Sequence, residues 1–255
     1  MKKSTKIKLL ISVWSLFLTG LLTTCHKSPL TCDFSGKTVQ KTQILTDFDT
    51  VEVNPLIHLT LVQDTLNKIV IETDEDVLEQ IDYHIEDNKL SLTNHTRCLI
   101  QNQKAEAHIT LYVNDITTLI ANTDLDIRSA DTLHFNRLKI ICENARTGTN
   151  NIADFNLKVQ IPTIEIIANG SSIFDISGSC NNLFVGFYGV NPVFRGKKLT
   201  AQHIKIFQRS DADMHLYPVQ SIKGDLYGYG DIYLYHRPPV VAINSHYAGH
   251  IYFVN

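Results

Sequence analysis

The chain has 255 residues, 44% of them hydrophobic and 19% charged, with a formal charge of −3. Loss of residues 1–24 would remove four lysines and no acid, leaving −7 on the remainder. An acidic chain without runs of like charge excludes nucleic acid as a partner, because phosphate binding demands a basic face.

Lys2, Lys3, Lys6 and Lys8 precede an apolar stretch from Leu9 to Leu22 that is broken by Ser12, Ser15, Thr19 and Gly20. A charged segment followed by an apolar one is the layout of an export signal. The apolar part is shorter than the roughly twenty residues a bilayer-spanning helix needs. It runs into Leu22-Thr23-Thr24-Cys25, which resembles a bacterial lipobox, with Thr24 where Gly or Ala is usual. Residues 1–24 are therefore expected to be a lipoprotein signal peptide and Cys25 the lipidated residue that anchors the protein to a membrane. A signal peptide without lipid would want small residues at both −3 and −1, and Leu22 fits that worse.

The other cysteines are Cys32, Cys98, Cys142 and Cys180, with no CxxC and no zinc-like spacing, so neither metal nor cofactor is expected. Cys32 and Cys98 lie in polar sequence where an oxidising compartment would permit a disulfide; idle thiols are the alternative. Residues 26–43 have no apolar period, and 25–44 read as a flexible tether.

From Phe48 the text alternates: Val51-Glu-Val53, Ile57-His-Leu59-Thr-Leu61, Ile69-Val-Ile71, Leu90-Ser-Leu92 and Ile109-Thr-Leu111-Tyr-Val113. These are period-2 strands with turns at Asp64, Asn67, Asp87-Asn88 and Asn94, making 45–115 an N-terminal β-strand region with hairpins. Asp76 to Ile81 is the one helical candidate after the signal.

Beyond residue 116 a period near nineteen appears. Coil starts at Ile164, Leu183, Ile204, Ile222 and Val241 are 19, 21, 18 and 19 residues apart, and Leu119 and Leu138 continue the series upstream. Two, ten and twelve residues after each start come Ile166, Phe174, Ile176; Val185, Val193, Arg195; Ile206, Met214, Leu216; Gly224, Ile232, Leu234; and Ile243, Ile251, Phe253. All of these inward positions are apolar except Arg195 and Gly224. One such coil cannot bury a core alone, whereas stacked coils supply each other with backbone partners and a shared interior. The expected fold is all-β, with β-helix or solenoid coils over 116–255; a sandwich of hairpins would alternate without a near-constant period. Gly170, Gly189, Gly228, Gly230 and Gly249 mark the corners, where positive φ is expected.

The lipobox, Phe48-Asp-Thr-Val-Glu-Val53, Lys89-Leu-Ser-Leu92, and coils such as Ile166-Ile-Ala-Asn-Gly-Ser-Ser and Leu226-Tyr-Gly-Tyr-Gly-Asp-Ile232 together resemble the autotransporter adhesin head GIN domain family of Bacteroidota envelope proteins. The resemblance spans roughly 45–253, and the turn Ser210-Asp211-Ala212 departs from the family's Gly-rich form. It implies a right-handed parallel β-helix and a cell-envelope role, and brings no catalytic residues to carry over. An acidic run after the lipidated cysteine resembles the signal for outer-surface display; His26-Lys-Ser-Pro-Leu-Thr lacks one, so an outer-membrane anchor facing the periplasm is expected.

No GxSxG, HExxH or phosphate loop is present, and the function expected is non-enzymatic adhesion or binding of a glycan or protein. Stacked coils place equivalent outward residues about 4.8 Å apart. One outward column reads Asn169, Tyr188, Arg209, Tyr227 and His246; the other reads Asp175, Phe194, His215, Tyr233 and Tyr252. Tyr188, Arg209, Tyr227, His246, Phe194, His215, Tyr233 and Tyr252 are the candidate binding surface, since an aromatic ring offers both apolar area and a polar edge. The rival readings are a polysaccharide lyase-like enzyme using Asp211, Asp213, Asp225, Asp231 and Arg209, and a structural envelope spacer. Asp49-Thr-Val, Asp64-Thr-Leu and Asp131-Thr-Leu resemble O-glycosylation acceptors. Ile251-Tyr-Phe-Val-Asn255 ends on a strand, an edge that a second subunit, a partner or folded-back side chains would cover.

Overall fold

The computed structural model describes residues 34–97, 105–143, 152–189 and 191–254; the expected export signal, Cys25, Cys32 and Cys98 lie outside them. Apart from Arg97, the described residues belong to one unit, Phe34–Thr96 with Gln103–Asn255. No helix among them is long and apolar enough to cross a membrane.

The second half of the expected tether is not a tether. Thr38–Ile44 is strand β1, antiparallel to β4 (Lys68–Asp74), with Thr38 opposite Asp74 and Ile44 opposite Lys68. Both of its faces are largely solvated, so it carries no apolar period and is held by backbone hydrogen bonds. Just before it, the Gly36 N–H and the Ser35 hydroxyl donate to the Asp74 carboxylate at 2.6 and 3.0 Å. The same carboxylate accepts the Asp76 N–H at 3.1 Å, the N-cap bond of helix α1 (Glu75–Leu78). The expected helical turn is thus shorter and starts one residue earlier.

The alternating segments form β2 (Thr50–Val53), β3 (Ile57–Gln63), β5 (Ile81–Glu86), β6 (Lys89–Asn94) and β7 (Ala107–Val113). Asp87 and Asn88, at φ +49° and +60°, make the tight turn of the β5–β6 hairpin, the geometry that matches strand twist.

Two series of parallel pairs follow. One runs β6, β2, β8 (Thr118–Ala121), β10 (Leu138–Cys142) and β12 (Thr163–Ala168). It continues through the later parts of β13 (Ile173–Phe187), β14 (Val193–Gln208) and β15 (Met214–Leu226) to β17 (Val240–Ser245). The other runs β7, β3, β9 (Ile127–Leu133) and β11 (Asp154–Gln160), then the early parts of β13, β14 and β15, and ends on β16 (Ile232–Leu234) and β18 (Ile251–Phe253). β13, β14 and β15 are long because the chain passes from one series to the other by register shifts, such as that between Asp175 and Gly178, without leaving the strand. The fold is all-β.

The sequence repeat is the register of these ladders. Ile164 pairs with Leu183, Leu183 with Ile204, Ile204 with Ile222, and Ile222 with Val241. The first four are at most 2% exposed, whereas Val241, on the last strand, is 40% exposed. Upstream the series slips by two, since Leu119 pairs with Ile140 and Leu138 with Ile164. Phe155 stacks on Phe174 at 4.7 Å, and Phe174 meets Phe187 at 5.8 Å, filling the interior.

One column departs from the expected period. The partners in the second series are Phe174, Phe194, Met214, Ile232 and Ile251, so Phe194 is an interior side chain and not a surface one. Arg195, read as inward, is exposed, and Val193 is half-buried. The cause is one extra residue in a corner: Ala168 and Phe174 are six positions apart, as are Gln208 and Met214, but Phe187 and Phe194 are seven. Because side chains alternate along a strand, a slip of one exchanges the two faces.

The corner glycines also serve differently from expectation. Gly189, Gly228 and Gly230 are not at positive φ; a Cβ on them would lie 1.8 to 2.1 Å from the carbonyl oxygens of Asn169, Ser210 and Ala212 below. They are glycine because adjacent corners approach too closely for a side chain. At the Gly-free corner the buried Ser210 hydroxyl donates to the Pro192 carbonyl at 2.9 Å and accepts the Ala212 N–H at 3.0 Å.

At the first strands of the two series, β4 pairs antiparallel with β7 and carries β1 on its other edge, and β5 pairs antiparallel with β6. At the other end β17 and β18 each pair on one side only among the described residues, and Val240, Val241, Tyr252 and Phe253 stay exposed. The Arg237 guanidinium folds back over the Phe253 ring at 4.0 Å.

Candidate functional site

Four aromatic side chains stack along one corner. Tyr188 meets Phe207 at 4.7 Å, Phe207 meets Tyr227 at 5.4 Å, and Tyr227 lies on His246 at 4.2 Å. Arg209, expected between Tyr188 and Tyr227, is exposed and outside the stack; Phe207 takes its place. Gly186 is the reason. It is the register partner of Phe207, and a Cβ there would lie 2.8 Å from the Tyr188 ring, which folds back across it. A glycine at an outward strand position beside a tyrosine was the signal in the sequence.

Beside the stack, Tyr229 and Tyr247 meet edge to face at 4.8 Å with their hydroxyls 2.8 Å apart. They are 59% and 58% exposed, and Tyr188 and Tyr227 are each 43% exposed. The corner therefore presents ring faces, ring edges and hydroxyls to solvent. His246 is fixed from below: its Nε2 lies 2.9 Å from Asp225 Oδ1, and Asn244 donates to the same oxygen at 3.2 Å. The bonds from His246 and Asn244 hold the Asp225 carboxyl below the usual carboxylate range.

The second outward column is Asp175, Arg195, His215, Tyr233 and Tyr252, in register across adjacent strands. His215 stacks on Tyr233 at 5.1 Å, Tyr233 on Tyr252 at 5.3 Å, and His215 Nδ1 lies 3.0 Å from the Tyr235 hydroxyl. Partial burial of the ring, with Lys197 and Arg195 nearby, lowers the proton affinity of His215 against the opposing pull of Asp213.

Two carboxylates of the lyase-like reading brace turns. The Asp213 carboxylate accepts the Asp231 N–H at 2.9 Å, and the Asp231 carboxylate accepts the His250 N–H at 2.8 Å. Each ties one corner to the next, the turn-bracing use of aspartate. Cys142 and Cys180 are buried thiols that burial pushes up to about 11 and about 12, well out of the reactive range.

A polar cluster lies across β3 and β7. His58 and His108, partners across β3 and β7, stack at 4.5 Å. His58 Nδ1 contacts Asp126, its Nε2 lies 3.0 Å from Glu106, and Arg128 reaches Asp126 at 3.2 Å. These residues come together only through parallel pairing of strands some fifty to seventy positions apart, which periodicity does not show.

The family described as "Putative auto-transporter adhesin, head GIN domain" matches residues 47–238. Similar solved structures include a "putative adhesin" from Bacteroides fragilis, 15% identical, covering 88% of this chain and 100% of its own with a TM-score of 0.79. A "putative adhesin" from Parabacteroides merdae is 15% identical and covers 87% and 98%, TM-score 0.65. A "Putative lipid binding protein" from Parabacteroides distasonis is 12% identical and covers 88% and 99%, TM-score 0.57. At these identities the likeness is one of fold. No curated protein matches the sequence.

Proposed function

This chain belongs to the auto-transporter adhesin head GIN domain family, and from that premise we propose that it is a non-enzymatic cell-envelope lipoprotein whose outward aromatic columns bind a glycan or protein surface. The observation that carries the reading is the exposed stack of Tyr188, Phe207, Tyr227 and His246, flanked by the Tyr229–Tyr247 pair. Clustered, solvated aromatic faces with hydroxyls at their rims suit the apolar faces and hydroxyls of sugar rings. The interior is filled by Phe155, Phe174, Phe187 and Phe194, which leaves ligands to the outside.

The architecture that builds the columns is, in this reading, a right-handed parallel β-solenoid. Support comes from the parallel pairing of Ile164, Leu183, Ile204, Ile222 and Val241, and from the strong preference of crossovers between parallel strands for the right hand. Lipid on Cys25 would hold the domain to the outer membrane, facing the periplasm. Labelling with a radioactive fatty acid tests that point: label lost in Cys25→Ser supports it, and an unlabelled wild type overturns it.

Binding is tested on a glycan array with the full chain and its Tyr227→Ala variant. Saccharide binding that the variant loses is the expected result. Binding of neutral saccharide unchanged by the substitution, or turnover of the saccharide, would overturn the reading.

A further inference from the structure

Three cations gather at one concavity of this acidic chain. Arg195, Lys197 and Lys198, with Asp175, His215 and Tyr235, line a concavity of about 360 Å³. A register shift between Arg195 and Thr200 lets the consecutive Lys197 and Lys198 both face solvent, as a bulge re-aims side chains. Elsewhere Lys37, Lys89 and Lys139 are each neutralised by a glutamate. Among the described residues Arg195, Lys197 and Lys198 make no ion pair, although Asp175 lines the same concavity.

The cations do not stand alone. Arg195 occupies the same column as His215, Tyr233 and Tyr252, and the three rings stack one on the next. With steps of about 4.8 Å between strands, the run from Arg195 to Tyr252 is about 14 Å long. His215 is the junction, lining the concavity on one side and stacking on Tyr233 on the other. The Tyr235 hydroxyl, at the wall of the concavity, adds a polar group at ring height.

We propose that this concavity and the aromatic run continuing from it bind an anionic saccharide, its acidic group held by Arg195, Lys197 and Lys198 and its ring lying along the outer edges of the stacked His215, Tyr233 and Tyr252 rings. Arg and Lys bind an acidic oxygen group by charge-assisted hydrogen bonds, the Arg fork matching two oxygens at once. A cleft lined by one sign of charge also raises the local concentration of the opposite sign. An acidic protein segment would use the cations alone, whereas a sugar ring needs the aromatic platform as well. The proposal rests on the reading of the domain as a binding module, at a site separate from the corner stack.

The experiment titrates the full chain with oligogalacturonate, neutral dextran oligosaccharide and poly-L-glutamate, for the wild type, Lys197→Gln/Lys198→Gln, Tyr233→Ala and Tyr227→Ala, with circular dichroism confirming that each is folded. The expected result is preferential binding of oligogalacturonate, weakened about tenfold by the lysine pair and several-fold by Tyr233→Ala. Equal binding of poly-L-glutamate, or indifference to Tyr233→Ala, overturns the saccharide and leaves a site for acidic protein. Binding of neutral saccharide alone, lost in Tyr227→Ala, overturns this site and supports the corner. No saccharide bound anywhere overturns the saccharide reading of both.

Discussion

Tyr227 lies face to face on His246, with ring centroids 4.2 Å apart and planes 5° from parallel. The imidazole is held by Asp225, two residues before Tyr227, so the stack is built on a fixed base. Exposed ring pairs of this kind contribute about 1 kcal/mol. Tyr227→Ala should therefore lower stability to urea by about that amount while removing the ring between Phe207 and His246. A loss above about 3 kcal/mol would mark Tyr227 as a structural residue and not a surface one.

Phe194 and Arg195 are neighbours with opposite fates, one fully buried and the other solvent-facing. Phe194→Ala should destabilise by about 3–5 kcal/mol, since it empties the interior between Phe174 and Met214. Arg195→Ala should stay within about 0.5 kcal/mol of the wild type. Denaturant midpoints for the two variants settle the register of this corner, and reversed magnitudes would restore the alternative in which Arg195 points inward.

Gly224 sits at φ +137°, and a Cβ on it would lie 2.0 Å from the Ile206 carbonyl oxygen. Both the backbone conformation and the space require glycine. Gly224→Ala should cost at least about 2 kcal/mol, measured by thermal unfolding. Gly186→Ala meets only the ends of the Tyr188 and Phe184 rings, which can move, and should cost less.

Because His215 binds its proton less readily folded than unfolded, the unfolded chain takes up more protons just below the ordinary histidine value of about 6.5. Stability should fall as pH drops from about 6.5 toward the lower folded value, and His215→Gln should flatten that slope. The urea midpoint between pH 7.5 and 5.5 is the measurement. The carboxyl of Glu52 adds a separate loss at lower pH: burial alone would raise it, but hydrogen bonds from Lys89, Ser91 and Asn122 outweigh this and hold it low.

Ile164, Leu183, Ile204 and Ile222 were legible as register partners because each buries an apolar side chain at nearly constant spacing, which is what a pattern of hydrophobicity records. Strand β1 was not legible, since it is solvated on nearly all its length and is held mainly by backbone bonds, which carry no side-chain signature. Phe194 was lost to one extra corner residue, which reverses the faces beyond it. The corner stack was half legible. Tyr188, Tyr227 and His246 follow from the period, but Phe207 enters only because the Tyr188 ring lies across Gly186, a side-chain direction that spacing does not encode.

Ring-selective NMR of the ten tyrosines during saccharide titration tests the surface claim most directly. Shifts confined to Tyr188, Tyr227, Tyr229 and Tyr247 at the corner, and to Tyr233, Tyr235 and Tyr252 beside the cationic concavity, are the predicted result. Saturable shifts at Tyr83 and Tyr112 of the N-terminal strands, with the corner rings unmoved, would contradict it.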